Sequence, residues 1–405
     1  MSEVISGQSY ARRFVESLEG LRAVAAAGVV VTHVAFQTGV DPKSHFGALT
    51  ARFDFFVAVF YALSAFLLWR RHRTDRRFGR YYRRRIARIA PAYLVCAVVV
   101  LLWLPEAFGA SPLQVLAQLT LTQIYVPDGL IGGLTHMWSL CVEVAFYLVL
   151  PLIALTIGRL TSRRARVAGI LALTAALSAW PWLPFVAAAE GAVNLQIWPP
   201  SYAPWFAVGL LAAEAEGHLA GRPAARARVA RLSAPRWLYW AAAMAVAWAA
   251  GREWFGPLGL EHPSPGQFSA RIAAGAVLAA LIVVPYALAP RRSDLIATAP
   301  LRLAGRWSYS LFLWHVAVLG AVFPLTGIGT FTGGFWPVLA VTLVVSLGVA
   351  GVSHTLIEQP VLDRQRRREH RHKDRPGQQR RVAGVEPVHA GRPGRTLEPR
   401  RARPQ

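Results

Sequence analysis

A histidine, a glutamate and an arginine (His33, Glu143 and Arg22) stand in stretches of this sequence that are otherwise apolar. Ionisable residues inside a membrane span are expensive, so each is a candidate for function. His33 follows Arg22 by eleven residues in the run Leu21-Arg22-Ala23-Val24-Ala25-Ala26-Ala27-Gly28-Val29-Val30-Val31-Thr32-His33. On a helix that separation is roughly 16 Å. Histidine is the usual general base near neutral pH, and it also serves as a packing residue bonded to a neighbouring helix. Ser139, Glu143 and Tyr147 recur every four residues in Trp138-Ser139-Leu140-Cys141-Val142-Glu143-Val144-Ala145-Phe146-Tyr147 and share one helix face. A polar stripe along an apolar helix points to the protein interior or a wet cavity. His136, just before it, reads as an ordinary interfacial histidine. Arg85 and Arg88 are three apart and face the same way. Guanidinium pairs suit bidentate phosphate binding, while orientation of a membrane segment accounts for them equally well. Asp54, in Arg52-Phe53-Asp54-Phe55-Phe56, is either part of a site or an acid stabilising a helix N-terminus.

The elements that must position these groups are membrane spans. The 405-residue chain is 54% hydrophobic yet carries a formal net charge of +23. The two kinds of residue are segregated: apolar runs long enough to cross a bilayer alternate with arginine-rich connections. Ten spans are expected, near 21–40, 52–69, 86–104, 137–157, 166–188, 200–217, 235–250, 269–289, 306–326 and 334–357. The fifth is interrupted by Pro181 and Pro184, and the sixth and seventh are short. Leu113 to Tyr125 is too short to cross and reads as an interfacial or re-entrant piece. Arginines gather in every second loop, from Arg70 to Arg88, from Arg159 to Arg166, from Arg222 to Arg236 and from Arg291 and Arg292 to Arg306. That is the positive-inside pattern with both termini in the cytoplasm. The fold expected is therefore all-α and integral to the membrane, a bundle of about ten transmembrane helices over 1–361. Residues 362–405 are basic and poor in large apolar side chains, and are expected to form a disordered cytoplasmic tail.

Composition also excludes readings. A nucleic-acid binder would carry its basic charge on a folded polar surface, and this chain has little of one. Cys96 and Cys141 sit in apolar segments without metal-ligand spacing, so neither a metal nor a disulfide is expected. No cleavable signal peptide stands out before Leu21.

At these residues the chain resembles the acyltransferase-3 family of membrane O-acyltransferases. That family marks its first span with a basic residue, ten intervening residues and a histidine, as in Arg22 to His33. Its second span resembles Asp54-Phe55-Phe56 followed by Leu63-Ser64-Ala65-Phe66-Leu67, with Ala65 where glycine is expected. Arg85 and Arg88 match its basic pair, and Trp138, Ser139, Leu140, Glu143, Phe146 and Tyr147 match its fourth-span run. Val144 stands where a second acid is often found. Ser308-Tyr309-Ser310-Leu311-Phe312-Leu313-Trp314-His315 and Ile357-Glu358-Gln359-Pro360 resemble two later segments. The resemblance covers roughly residues 18 to 361.

The resemblance implies transfer of acetyl or another short acyl group, commonly from acyl-CoA, to a sugar hydroxyl. Acceptors in the family include lipopolysaccharide, peptidoglycan, glycolipids and sugar-bearing antibiotics. No permanently bound cofactor is implied; acyl-CoA is a donor substrate. The expected location is the bacterial inner (cell) membrane, and the acyl group is either delivered directly or passed to a separate extracytoplasmic partner. In the implied mechanism Arg85, Arg88 and Arg22 hold the donor phosphates. His33 takes the acceptor proton and Glu143 orients His33, with an acyl-histidine intermediate as the other chemistry. Asp54, Ser139, Tyr147, Ser308, Tyr309 and His315 support the site or the substrate. The rival reading is a secondary transporter that uses His33 and Glu143 for proton or substrate coupling. No internal repeat of the kind many transporters show is visible.

Overall fold

The computed structural model describes residues 2–188, 193–259, 261–291 and 294–369. Arg292 and the tail 370–405 lie outside the described residues. Among the described residues there are helices and turns and no strand. The helices are α1 (Ser2–Gln37), α2 (His45–Ala51), α3 (Phe56–His72), α4 (Phe78–Trp103), α5 (Pro112–Thr120), α6 (Trp138–Leu155) and α7 (Arg163–Ser178). They continue with α8 (Pro184–Ala187), α9 (Ala203–Leu219), α10 (Pro223–Leu232), α11 (Arg236–Ala250), α12 (Pro265–Leu288), α13 (Ala299–Thr326) and α14 (Phe335–Ser353). A π-helical turn, His354–Glu358, carries α14 onward, and helix persists to Glu369. Leu362 to Glu369, expected to open a disordered tail, is thus helical.

Seven helical segments among the described residues are long and apolar enough to cross a membrane. They are Glu16–Gln37, His45–His72, Phe78–Trp103, Thr135–Arg159, Pro265–Leu288, Ala299–Thr326 and Phe335–Glu369. The protein is a multi-pass membrane protein. Three other expected spans are helical but shorter: α7 has 16 residues, α9 has 17 and α11 has 15. At 1.5 Å per residue these reach about 22–26 Å, less than the roughly 30 Å hydrocarbon thickness. Proline is the local cause for α7: Pro181 and Pro184 each open a new short turn after it. The segment beginning at Leu113 forms α5, nine residues capped by a Ser111–Gln114 capping box. It is too short to cross, as its length implied.

The centre of the bundle is α3. In the segment containing it, 72% of the most apolar window is buried, against 22% for that containing α14, so α3 carries the interior and α14 the periphery. Two glycines permit the close crossings that fix this arrangement. A Cβ at Gly209 of α9 would lie 2.0 Å from the Ala62 carbonyl oxygen of α3. One at Gly305 of α13 would lie 1.9 Å from the Glu19 carbonyl oxygen of α1. In a bilayer such small residues let backbones approach and gain van der Waals contact.

Candidate active site

The α6 stripe faces α3. Glu143 Oε1 accepts hydrogen bonds from Ser64 Oγ at 2.6 Å and from the Tyr147 hydroxyl at 2.5 Å. Tyr147 sits one turn along on the same face, so the spacing of four supplies one donor and α3 supplies the other. A carboxylate inside an apolar bundle needs such partners. Ser139 does not join them: its hydroxyl donates to the His136 carbonyl at 3.0 Å, and its own carbonyl accepts from Tyr61 at 2.6 Å.

These groups line a cavity of about 740 Å³. One end carries Arg22, Arg70, Arg71, Arg85 and Arg88; Glu143, Ser64 and Tyr147 lie further in, with Ser308, Tyr309 and Phe312 on another wall. The arginines are not equivalent. Arg88 donates to Glu358 at 2.8 Å and lies 5.6 Å from the Tyr309 ring centre. Glu358 also accepts from Ser310. Arg85 lies 5.5 Å from the Tyr147 ring centre, and its Nε is buried without a hydrogen-bond partner. Among the described residues Arg85 forms no ion pair. Arg70 is bound to Glu216 at 2.8 Å. A second cavity of about 580 Å³ shares Arg22 and Arg88 with the first and adds Arg306, His354 and Arg366.

His33 belongs to a different layer. Its ring centre lies 5.1 Å from that of His315 and 6.1 Å from that of His136, while His136 and His315 are 4.6 Å apart. The His315 Nδ1 meets the Phe312 carbonyl at 2.8 Å. A carbonyl only accepts, so Nδ1 carries the proton and Nε2 of the neutral ring is an acceptor. That Nε2 is buried and without a partner, as are both ring nitrogens of His136. Phe312 stands between the layers: it lines the arginine-mouthed cavity, and its ring lies 5.1 Å from His136 and 5.9 Å from His315.

Among the described residues no hydrogen bond joins Glu143 directly to His33: Glu143 Oε1 takes Ser64 and Tyr147, and the His33 ring lies beside those of His315 and His136. Asp54 is also away from the cavity. It lies 3.5 Å from Arg52, ten residues before Ser64 along the same segment, or about 15 Å if helical. It sits in the tight turn Arg52–Phe55 that joins α2 to α3 within the continuous helical segment His45–His72, so it does not meet a free helix N-terminus. Arg22, Arg85, Arg88, Ser139, Glu143, Tyr147, Ser308 and Tyr309 line one cavity, and His315 joins His33. Sequence reasoning missed His136, Ser64 and the Arg88–Glu358 pair. His136 had a usable signal: three histidines fall at comparable depth in separate spans.

The acyltransferase-3 family, described as an acyltransferase domain, matches residues 15–354. The chain belongs to this family. The acyltransferase MdmB of Streptomyces mycarofaciens is 29% identical over 372 residues, covering 85% of this chain and 91% of that protein. Nodulation protein 10 of Rhizobium leguminosarum bv. viciae is 25% identical over 339 residues, 76% of this chain and 81% of that one. The O-acetyltransferase OatA of Staphylococcus aureus is 28% identical over 164 residues, 36% of this chain. The match spans about a quarter of that staphylococcal relative, 25% of its length. No solved structure matches this acyltransferase-family chain significantly.

Proposed function

We propose that the protein is a bacterial cell-membrane O-acyltransferase that moves a short acyl group, acetyl in its simplest form, from cytoplasmic acyl-CoA to a sugar hydroxyl on the opposite face. One observation carries this reading: a single cavity of about 740 Å³ is lined by five arginines, a carboxylate and Phe312, and Phe312 packs against His136 and His315, with His33 beside His315. A nucleotide-bearing thioester has the matching order of parts. Its phosphates belong with the arginines, where charge-assisted contacts are strongest. Its amide-bearing arm belongs beside Glu143, whose Oε2 accepts no bond from any described residue.

Arg85 is the main phosphate ligand, because Arg88 is already engaged by Glu358. The thioester carbonyl then reaches the histidine layer beside Phe312. His33 takes the proton as the acceptor oxygen attacks that carbon. The new C–O bond forms, the C–S bond breaks, and the proton passes to the thiolate, leaving ester and free thiol. His315, with Nδ1 anchored on Phe312, offers Nε2 to hold or receive a proton from the neighbouring ring. Glu143 contributes from the donor cavity and does not orient His33. In this reading the arginine-rich loops and both termini are cytoplasmic, and α7, α9 and α11 complete ten spans.

The test uses purified full-length protein in lipid nanodiscs supplied with radiolabelled acetyl-CoA and a panel of glycosides. Thiol release coupled to labelled ester supports the reading. A protein that binds acetyl-CoA without consuming it, or that moves protons without it, favours transport.

A further inference from the structure

A third opening lies at the other end of the bundle. It has a volume of about 560 Å³ and is lined by Gln37, Trp103, Glu106, Gly320 and Thr330, among others. Gln37 follows His33 by one turn on the same face of α1, and Gly320 lies five residues beyond His315 on α13. At 1.5 Å per residue the opening sits about 6–8 Å outward of the histidine layer. Glu106 follows the C-terminal end of α4 and makes no hydrogen bond or ion pair with any described residue. Gly320 leaves space for it: a Cβ there would stand 3.1 Å from Glu106 Oε1.

The chemistry of this opening is the reverse of the arginine-mouthed cavity. Among the described residues no lysine or arginine lines it, one carboxylate does, and most of the rest of its wall is apolar. An anionic ligand such as a nucleotide is therefore disfavoured. An ionised carboxylate only accepts, so it seeks hydrogen-bond donors, and two adjacent hydroxyls offer its two oxygens one hydrogen each. Gln37 adds an amide that both donates and accepts. Trp103, 69% exposed, supplies an aromatic face for the C–H side of a ring.

We propose that this opening is a binding site for a neutral polyhydroxylated ring, with Glu106 as its specificity-determining residue. The identification of that ring as the acyl acceptor rests on the function proposed above; the binding site itself does not. Such a ring comes either as a free glycoside or as the headgroup of a glycolipid, and its hydroxyls would enter one helical turn from His33.

Saturation-transfer NMR on the full chain in nanodiscs, with no acyl-CoA present, tests it. The probes are methyl and dodecyl β-glycosides of glucose, galactose and N-acetylglucosamine, with glucose 6-phosphate as the anionic control. At least one glycoside should give a signal with wild type. The signal should fall at least tenfold with Glu106→Ala and with Gly320→Leu, persist with Arg85→Ala, and be absent for the phosphate. Binding of methyl glycosides identifies a free sugar, and Glu106-dependent binding of the dodecyl forms alone identifies a glycolipid headgroup. No binding of any glycoside, or binding indifferent to Glu106→Ala, overturns the proposal. Glu106-dependent binding by a protein that never consumes acetyl-CoA would leave this site standing and sink the transferase reading instead.

Discussion

The Tyr147 hydroxyl lies 2.5 Å from the Glu143 carboxylate, one turn away on the same helix face. With Ser64 on the same oxygen at 2.6 Å, this contact holds Glu143 in the wall of the arginine-mouthed cavity. Glu143→Gln is expected to slow transfer without moving the acidic limb of the pH–rate profile. His315→Asn is expected to move it, because that ring adjoins His33. Profiles of kcat/KM for the two variants decide between these roles. Tyr147→Phe removes one charge-assisted bond, worth about 1.5–3 kcal/mol, and should lower donor affinity or rate by about tenfold or more.

Arg85 and Arg88 should separate by their effects. Arg85→Ala is expected to weaken acetyl-CoA binding at least tenfold, with little change for an acetyl-pantetheine thioester lacking the nucleotide and no change in thermal midpoint. Arg88→Ala takes from Glu358, only 2% exposed, its arginine partner and leaves it Ser310 and a histidine, His354, at 3.5 Å. Breaking a buried pair costs about 3–5 kcal/mol, so that variant should melt earlier, and Arg88→Ala with Glu358→Ala together should recover part of the loss. Calorimetry and thermal unfolding on the same preparations measure both. Equal binding losses for the two thioesters would assign Arg85 to folding instead.

Phe312 lines the arginine-mouthed cavity and packs against His136 and His315. Phe312→Ala opens this contact to water. The expected result is faster acetyl-CoA hydrolysis in the absence of any acceptor, with the ratio of transfer to hydrolysis reduced. An unchanged ratio would mean that the side chain does not separate the two compartments.

Reporter fusions after Arg77 and after Gly129 check the orientation. Arg77 should report the cytoplasm and Gly129 the outside. A cytoplasmic signal at Gly129 would invert the placement of both cavities.

Much of this site was legible in the sequence, and the reasons are physical. The spacing of Ser139, Glu143 and Tyr147 fixes a shared face by helix geometry alone, and α6 keeps Glu143 and Tyr147 in contact. Arg85 and Arg88 do line one cavity, as a separation of three predicts. What sequence does not carry is the rotation of one helix against another. Glu143 could reach His33 or Ser64, and the crossing of α3 with α6 selects Ser64. His136 looked ordinary because it precedes an apolar run, yet the turn Thr135–Met137 tucks it inside, 2% exposed, against His315. The pairing of Arg88 with Glu358 is not legible in the sequence, because the two residues are 270 positions apart.

The central claim is that His33 performs the proton transfer on an acyl group held in the arginine-mouthed cavity. Its most direct test is the transfer rate of His33→Ala, with acetyl-CoA affinity measured on the same nanodisc preparation. The account predicts a loss of about 10²–10⁴ in rate, the usual cost of removing a general base, with donor affinity within about twofold of wild type by the same reasoning, since the base touches no phosphate. Transfer by His33→Ala at the wild-type rate would contradict it.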